Sequence, residues 1–216
     1  MKILAVSDEV LDHLYSPAVL ERFGAVDLVV GCGDLPAYYL DYIVSMLNVP
    51  LLQVPGNHDP ACFPFHEDDP AASAATRRGR GNIDGRVVRE RDWLVAGLGG
   101  SVRYRPGVHQ YSQAEMSRRV LRLVPSLLVN KARHGRYLDI LVTHAPPKGI
   151  HDAADPAHVG FAAFNRLMAR FRPRYLLHGH AHVWRRDTVT ETRVGETLVV
   201  NVCPFRVIEA PAAHGG

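Results

Sequence analysis

Residues 51–59 read LLQVPGNHD, an apolar run that ends in three polar residues of metal-binding type. The run at residues 51–54 has the Leu and Val content of a buried strand. Asn57, His58 and Asp59 follow directly after Pro55-Gly56. Loops at the carboxyl ends of strands in α/β folds hold ligands and catalytic groups. The stretch therefore predicts a functional loop at the end of a buried strand.

Four other apolar runs end in the same way. They are residues 3–6 followed by Asp8, 28–30 followed by Gly33-Asp34, 140–142 followed by Thr143-His144-Ala145-Pro146, and 175–177 followed by Gly179-His180-Ala181-His182. We expect the five loops to meet at one place. Their carboxylates, amide and imidazoles suit divalent ions such as Mn, Fe, Zn, Co or Ni. Together the blocks predict a dinuclear metal site for phosphoester chemistry.

The ordered blocks resemble the calcineurin-like metallophosphoesterase superfamily, whose pattern is D-x-H, G-D, G-N-H-D/E, a strand-ending H and G-H-x-H. Four of the five blocks match in the family's order across residues 8–182. The resemblance implies an α/β fold of the four-layer αββα sandwich type, with two mixed β-sheets and the metals at one edge. The chain has 216 residues, of which 47% are hydrophobic, so we expect residues 1–216 to form a single domain.

The resemblance also implies roles for the candidate residues. A water between two ions would lose its proton and become the nucleophile. His58 would protonate the leaving alkoxide as a general acid, and Asp59 would orient it. The implied metal ligands are a bridging carboxylate and one set for each ion: Asp34 as the bridge, Asp8 and His182 on the first ion, and Asn57, His144 and His180 on the second.

The first block departs from the family's pattern. The chain reads Ser7-Asp8-Glu9-Val10, so valine stands where the family has a histidine ligand of the first metal. Three alternatives remain open. The first site is weaker and completed by water, or a substitute ligand comes from Glu9, Asp12 or His13, or the site works with one tightly held ion.

The segments between the blocks predict further elements. Residues 86–90 and 93–98 have the pattern of a strand hairpin, and the glycines at residues 97–100 indicate a tight turn near the site. Apolar residues at helical spacing predict a helix over residues 113–128 and another over 161–171. Prolines and small residues at 60–81 predict a long loop or lid inserted after the proposed general acid.

The loop after His144 is a second candidate for substrate contact. It carries His151, Asp152, Asp155 and His158 beside a predicted metal ligand. We take His158 as the candidate substrate-binding residue among them. Ordinary loop polarity and helix capping remain the alternative.

Composition limits the partners. Lys and Arg number 25 against 22 Asp and Glu, and a net charge of +3 is too mild to indicate a nucleic-acid or membrane partner. The chain has neither a signal-peptide pattern nor an apolar run of transmembrane length. Cys32, Cys62 and Cys203 are odd in number and widely spaced, which favours a reducing cytoplasm over a disulfide framework. The oligomeric state does not follow from the sequence.

The function predicted from these patterns is metal-dependent hydrolysis of a small phosphodiester, such as a nucleotide or cyclic nucleotide. One alternative is a phosphomonoesterase, and another is a degenerate protein that binds metal or phosphate without catalysis. The presence of His58 next to Asp59 favours the enzyme, because a protein that only holds metal needs no acid for a leaving group.

Overall fold

A computed structural model describes residues 1–60, 81–182 and 187–211. The predicted insertion at residues 60–81 lies almost entirely outside the described residues. The described helices are α1 Ala18–Phe23, α2 Ala37–Leu47, α3 Gln113–His134 and α4 Ala162–Phe171. The strands are β1 Lys2–Val6, β2 Leu28–Gly31, β3 Leu51–Gln53, β4 Gly81–Asn82, β5 Val87–Glu90, β6 Trp93–Leu98, β7 Ser101–Val102, β8 Gln110–Tyr111, β9 Ile140–Thr143, β10 Tyr175–His178, β11 Glu191–Val194, β12 Thr197–Asn201 and β13 Phe205–Glu209.

The strands form two mixed sheets and one small pair. The first sheet has the order β13-β1-β2-β3-β4, in which only β13 is antiparallel to its neighbour. The second has the order β11-β12-β10-β9-β6-β5, with parallel strands in the centre and an antiparallel strand at each edge. Strands β7 and β8 pair separately. All five predicted apolar strands lie within the two sheets, and the predicted hairpin is β5 with β6.

Side chains alternate between the two faces of each strand, and this alternation produces the layers of the fold. In β1, Ile3 and Ala5 face the second sheet, whereas Leu4 and Val6 pack with α1 and α2. The opposite face of the second sheet packs against α3 and α4. Each sheet therefore buries both of its faces, which explains why the central strands are continuous apolar runs. This arrangement confirms the predicted four-layer αββα sandwich.

Helix α4 begins and ends close to the limits predicted for it, whereas α3 is longer than predicted. Its start is fixed by a capping box in which Ser112 and Glu115 bond each other's backbone N–H groups. It continues beyond the predicted residue 128 and ends where Gly135 adopts a φ of 72°. None of the helices in the described ranges is long and apolar enough to cross a membrane.

Loops from the two sheets meet at one edge. The Gly179 N–H donates to the carbonyl of His144 at 3.0 Å, and the Asp8 N–H donates to the carbonyl of Gly33 at 3.2 Å. The sheets are joined across the layer where His144 Nδ1 lies 2.7 Å from the carbonyl of Cys32. Parallel strands place their carboxyl ends on the same side, which is why the predicted loops converge.

Candidate metal centre

Asp34, His144 and His180 form the centre of the converging loops. Each offers one ligand atom, and the three atoms lie within 4.8 Å of one another. His144 is fully buried, and its Nε2 lies 3.3 Å from Asp34 Oδ2. The rings of His144 and His180 are 4.8 Å apart between centroids. A carboxylate and two imidazoles at this spacing are a donor set suited to a borderline divalent ion.

Hydrogen bonds outside the cluster orient its rings. Because His144 Nδ1 must donate to the carbonyl of Cys32, its Nε2 faces the cluster, 3.0 Å from Asn57 Oδ1. The Asn57 amide in turn donates to the Tyr104 hydroxyl at 3.4 Å, which directs its oxygen inwards. His180 Nε2 donates to the carbonyl of Ala157 at 2.7 Å. The structure thus brings four predicted ligands together: Asp34, Asn57, His144 and His180.

The pKa values of the three residues in this cluster are shifted in different directions. Burial acts to raise the pKa of Asp34, but attraction to His144 outweighs it and lowers that pKa to about 2. Burial acts to lower the pKa of His144, but attraction to Asp34 raises it to about 9. Burial lowers the pKa of His180 to about 3. These opposite shifts favour an ion pair of Asp34 with His144 in the metal-free cluster, and a divalent ion that binds there would displace the proton of His144.

The backbone at the site is held in an uncommon conformation. Asp8, Asp34 and His180 have positive φ angles of 65°, 56° and 65°. Such angles cost energy in residues other than glycine and concentrate at functional sites. A Cβ on Gly179 would lie 2.5 Å from Asp8 Oδ2. The glycine of the Gly179-His180 pair therefore allows Asp8 to accept a hydrogen bond from the His180 N–H at 2.9 Å.

Asp59 bonds to two backbone groups of the site, and the role of orienting His58 that is expected of it stays a prediction. Its buried Oδ2 accepts hydrogen bonds from the backbone N–H groups of Gly56 at 2.7 Å and Asp34 at 3.0 Å. These are the hydrogen bonds of Asp59 over the described ranges, and neither involves the His58 ring. Asp59 therefore holds two predicted ligand loops together. His58 is exposed, and its N–H donates to Asp34 Oδ1 at 2.8 Å.

The second ligand of the Gly-His-x-His block lies in another group. His182, Glu9 and Cys203 offer atoms that also lie within 4.8 Å of one another. Val10 is 42% exposed. Of the three substitute ligands considered, Glu9 is beside His182, whereas Asp12 is exposed and the His13 ring packs against Phe205 at 5.5 Å.

A cavity of about 340 Å³ lies next to His182. Its lining includes His151, Asp152, His158, His182 and Asn201. The His158 ring lies 5.2 Å from that of His180, and its Nδ1 lies 2.8 Å from Asp155 Oδ1. The candidate substrate residue is thus beside both a predicted ligand and the cavity. Substrate contact by His158 stays a prediction.

The sequence model of the calcineurin-like phosphoesterase family matches residues 1–184. The chain belongs to this family. The phosphoesterase is 19% identical to a Thermus thermophilus protein of solved structure, with a TM-score of 0.63 over 93% of this chain and 88% of that one. A structure of Vps29 from Entamoeba histolytica is 12% identical, with a TM-score of 0.43 over 93% and 73%. An archaeal phosphodiesterase is 16% identical, with a TM-score of 0.44 over 94% and 83%. No curated protein matches the chain.

Membership makes this phosphoesterase a metal-dependent hydrolase of a dinuclear family, and the two ligand groups fit that chemistry. Sequence reasoning missed two parts of the site. Tyr104 orients Asn57, and Cys203 joins His182. Neither lies in a block of the family's pattern, so no local signal in the sequence marks them.

Proposed function

We propose that this phosphoesterase hydrolyses a small phosphodiester, such as a nucleotide or cyclic nucleotide, with His58 as the general acid. The observation that supports it is the position of His58, an exposed histidine whose backbone N–H is bonded to the partly buried Asp34 of the metal centre. The loop that supplies the Asn57 ligand therefore also presents an imidazole at the edge where solvent and substrate enter.

The ligand groups would hold two divalent ions. Asp34, Asn57, His144 and His180 would bind one ion, and Asp8 and His182 would bind the other with Asp34 shared between them. When bound, the ions supply a nucleophile from water and neutralise charge on the phosphoryl oxygens. The protein orients these groups in advance, because Cys32, Tyr104 and Ala157 fix the rings and the amide through hydrogen bonds.

His58 completes the reaction at the leaving group. A protonated imidazole can give its proton to a departing alkoxide, which is otherwise a poor leaving group. Asp34 Oδ1 holds the backbone of His58 and Asp59 holds the backbone of Asp34, so the acid is attached to the same rigid loop pair as the ligands. This attachment would hold the loop that carries the acid close to the ligand loops.

The cavity beside His158 and His182 favours a diester over a monoester. A phosphodiester carries a second esterified group, which needs room beside the metal centre, and about 340 Å³ is available there. His151, Asp152 and Asn201 would give that group polar contacts. We place the reaction in a reducing cytoplasm, because Cys32 and Cys203 are both buried thiols.

The test compares bis-p-nitrophenyl phosphate with p-nitrophenyl phosphate, using metal-stripped protein to which Mn, Fe, Co, Ni or Zn is returned. We expect faster turnover of the diester. His58→Ala should retain its metals and lose roughly 10²–10⁴-fold in turnover, most strongly for poor leaving groups. His134→Ala, a histidine at the end of α3, is the matched control and should keep full activity. Unchanged turnover in His58→Ala would remove His58 from the mechanism.

The rival function is binding of metal or phosphate without catalysis, which the loss of the family histidine at Val10 suggests. It predicts full metal occupancy with no turnover of either ester by any ion. The presence of an exposed histidine bonded to the metal centre argues against it.

A further inference from the structure

Glu9, His182 and Cys203 form a compact group next to the Asp34 cluster. Glu9 follows Asp8 in the chain, and His182 lies two residues after His180. Cys203 is fully buried and comes from the loop between β12 and β13, a segment outside the family's five blocks. The group brings a carboxylate and a thiol together around the imidazole of His182, the residue expected to bind the first metal.

The three donor atoms form a nearly equilateral triangle. Glu9 Oε1 lies 3.6 Å from His182 Nδ1 and 3.9 Å from Cys203 Sγ, and the sulfur lies 4.0 Å from the same nitrogen. Because the sides are nearly equal, a point equidistant from the three atoms is about 2.2 Å from each. That distance agrees with zinc bonds of roughly 2.0–2.3 Å to oxygen, nitrogen and sulfur.

The same geometry, over the described residues, disfavours the nucleophilic chemistry that a thiol, an imidazole and a carboxylate also suggest. In a nucleophilic Cys-His-acid relay, the thiol and the carboxylate bond opposite nitrogens of the imidazole, so that a proton passes through the ring. Here both the sulfur and the carboxylate lie on the Nδ1 side of His182. Three donor atoms this close together on one side of the ring fit a metal site better than a relay.

The loop that carries Cys203 is fixed in place by other contacts. Asn201 Oδ1 accepts a hydrogen bond from the Cys203 N–H at 3.1 Å, and its amide donates to the carbonyl of Ala181 at 2.7 Å. One side chain therefore ties the cysteine loop to the histidine loop. The Ser7 N–H also donates to the carbonyl of Pro204 at 3.0 Å, which joins the cysteine loop to the loop of Glu9.

We propose that Glu9, His182 and Cys203 bind the first divalent ion, so that a carboxylate and a thiolate replace the histidine that is absent at Val10. This inference rests on the proposed function, since it concerns one ion of the same centre. A sulfur ligand changes the preference of the site. It favours Zn and Co over Mg and Mn, which prefer oxygen ligands.

Cobalt titration of the metal-free protein tests the proposal directly. Thiolate bound to Co²⁺ gives a charge-transfer absorption in the near ultraviolet that oxygen and nitrogen ligands do not give. The protein for the test is the double variant Cys32→Ala and Cys62→Ser, which leaves Cys203 as its single thiol. We expect two cobalt equivalents, one of which produces the sulfur band.

Two further variants assign the ligands. Cys203→Ser should lose the band and weaken the binding of one cobalt equivalent by about 100-fold or more. Loss of a residue that only hydrogen-bonds a ligand costs roughly 10-fold to 100-fold, and loss of the ligand itself should cost more. Glu9→Gln should keep the band and weaken the same equivalent. The matched control is Cys62→Ser made alone in the otherwise unchanged chain, which removes a thiol that is not one of the three donors and should leave the band unchanged.

The outcomes separate this inference from the proposed function. Two bound ions and diester hydrolysis without a sulfur band would overturn the thiolate ligand and leave the hydrolase standing. A sulfur band that disappears in Cys203→Ser supports the metal site even where no ester is hydrolysed, and in that case only the proposed function fails. A band that persists in Cys203→Ser would also overturn the proposal.

Discussion

Acidification should destabilise the metal-free protein through His178, a buried histidine that is not among the predicted ligands. The ring is fully buried at the end of β10, and its Nδ1–H donates to the carbonyl of Gly179 at 2.9 Å. Its Nε2 lies 2.9 Å from His151 Nδ1 and accepts that proton, and His151 Nε2 lies 2.9 Å from the Thr192 hydroxyl. Both ring nitrogens of the neutral His178 already have hydrogen-bond partners, so a second N–H on the ring would find no acceptor.

The magnitude follows from the change in pKa on folding. Burial lowers the pKa of His178 to about 3, against 6.5 for an unperturbed histidine. Below pH 6.5 the unfolded chain binds a proton that the folded state refuses, so the stability present above that pH is lost as the pH falls towards 3. At roughly 1.4 kcal/mol per pH unit, His178 alone removes about 2 kcal/mol between pH 8 and pH 5.

The assay is urea unfolding of chelator-treated protein at pH 8, 7, 6 and 5, for the wild type and His178→Gln. The glutamine does not titrate, whereas His144 and His180 titrate in both proteins and cancel in the difference. Between pH 8 and pH 5, we expect the variant to lose about 2 kcal/mol less unfolding free energy than the wild type. Equal pH dependence in the two proteins would refute the argument, as would an NMR titration in which the His178 ring gains a proton near pH 6.

Three substitutions test the ligand loops. Asp34→Asn should weaken the binding of both ions, because it removes the shared negative charge; calorimetric metal titration that still shows two unweakened sites would contradict the bridging role. Asp59→Ala leaves the N–H groups of Gly56 and Asp34 without their acceptor and should cost roughly 2–5 kcal/mol of unfolding free energy, measured in urea. Gly179→Ala places a Cβ against the Ser7 hydroxyl and 2.5 Å from Asp8 Oδ2, and it should cost about 1–3 kcal/mol with weakened metal binding; an unchanged melting temperature and affinity would show that these close approaches are not needed.

Much of the fold was readable from the sequence because the central strands are buried on both faces. Continuous Val, Ile and Leu runs mark such strands, and the polar residues that end them mark the edge of the sheets. The helix end at His134 was missed, since it depends on Gly135 rather than on the apolar spacing of α3. Residues 61–80 and 183–186 lie outside the described ranges, so the lid expected at 60–81 stays a prediction.

The sequence by itself determined which residue types end the strands and in what order, and this was enough to indicate the family and the Asp34 cluster. Only the tertiary structure decided which residues distant in sequence share a site. Glu9 and Cys203 meet because β13 pairs antiparallel with β1, which brings the loop before β13 against the loop after β1. Asp59 holds Asp34 because β2 and β3 are parallel neighbours whose loops leave on the same side. A short stretch of sequence indicates which strands are buried and where they end. Contacts between residues distant in sequence depend on strand order and register, which no short stretch of sequence contains.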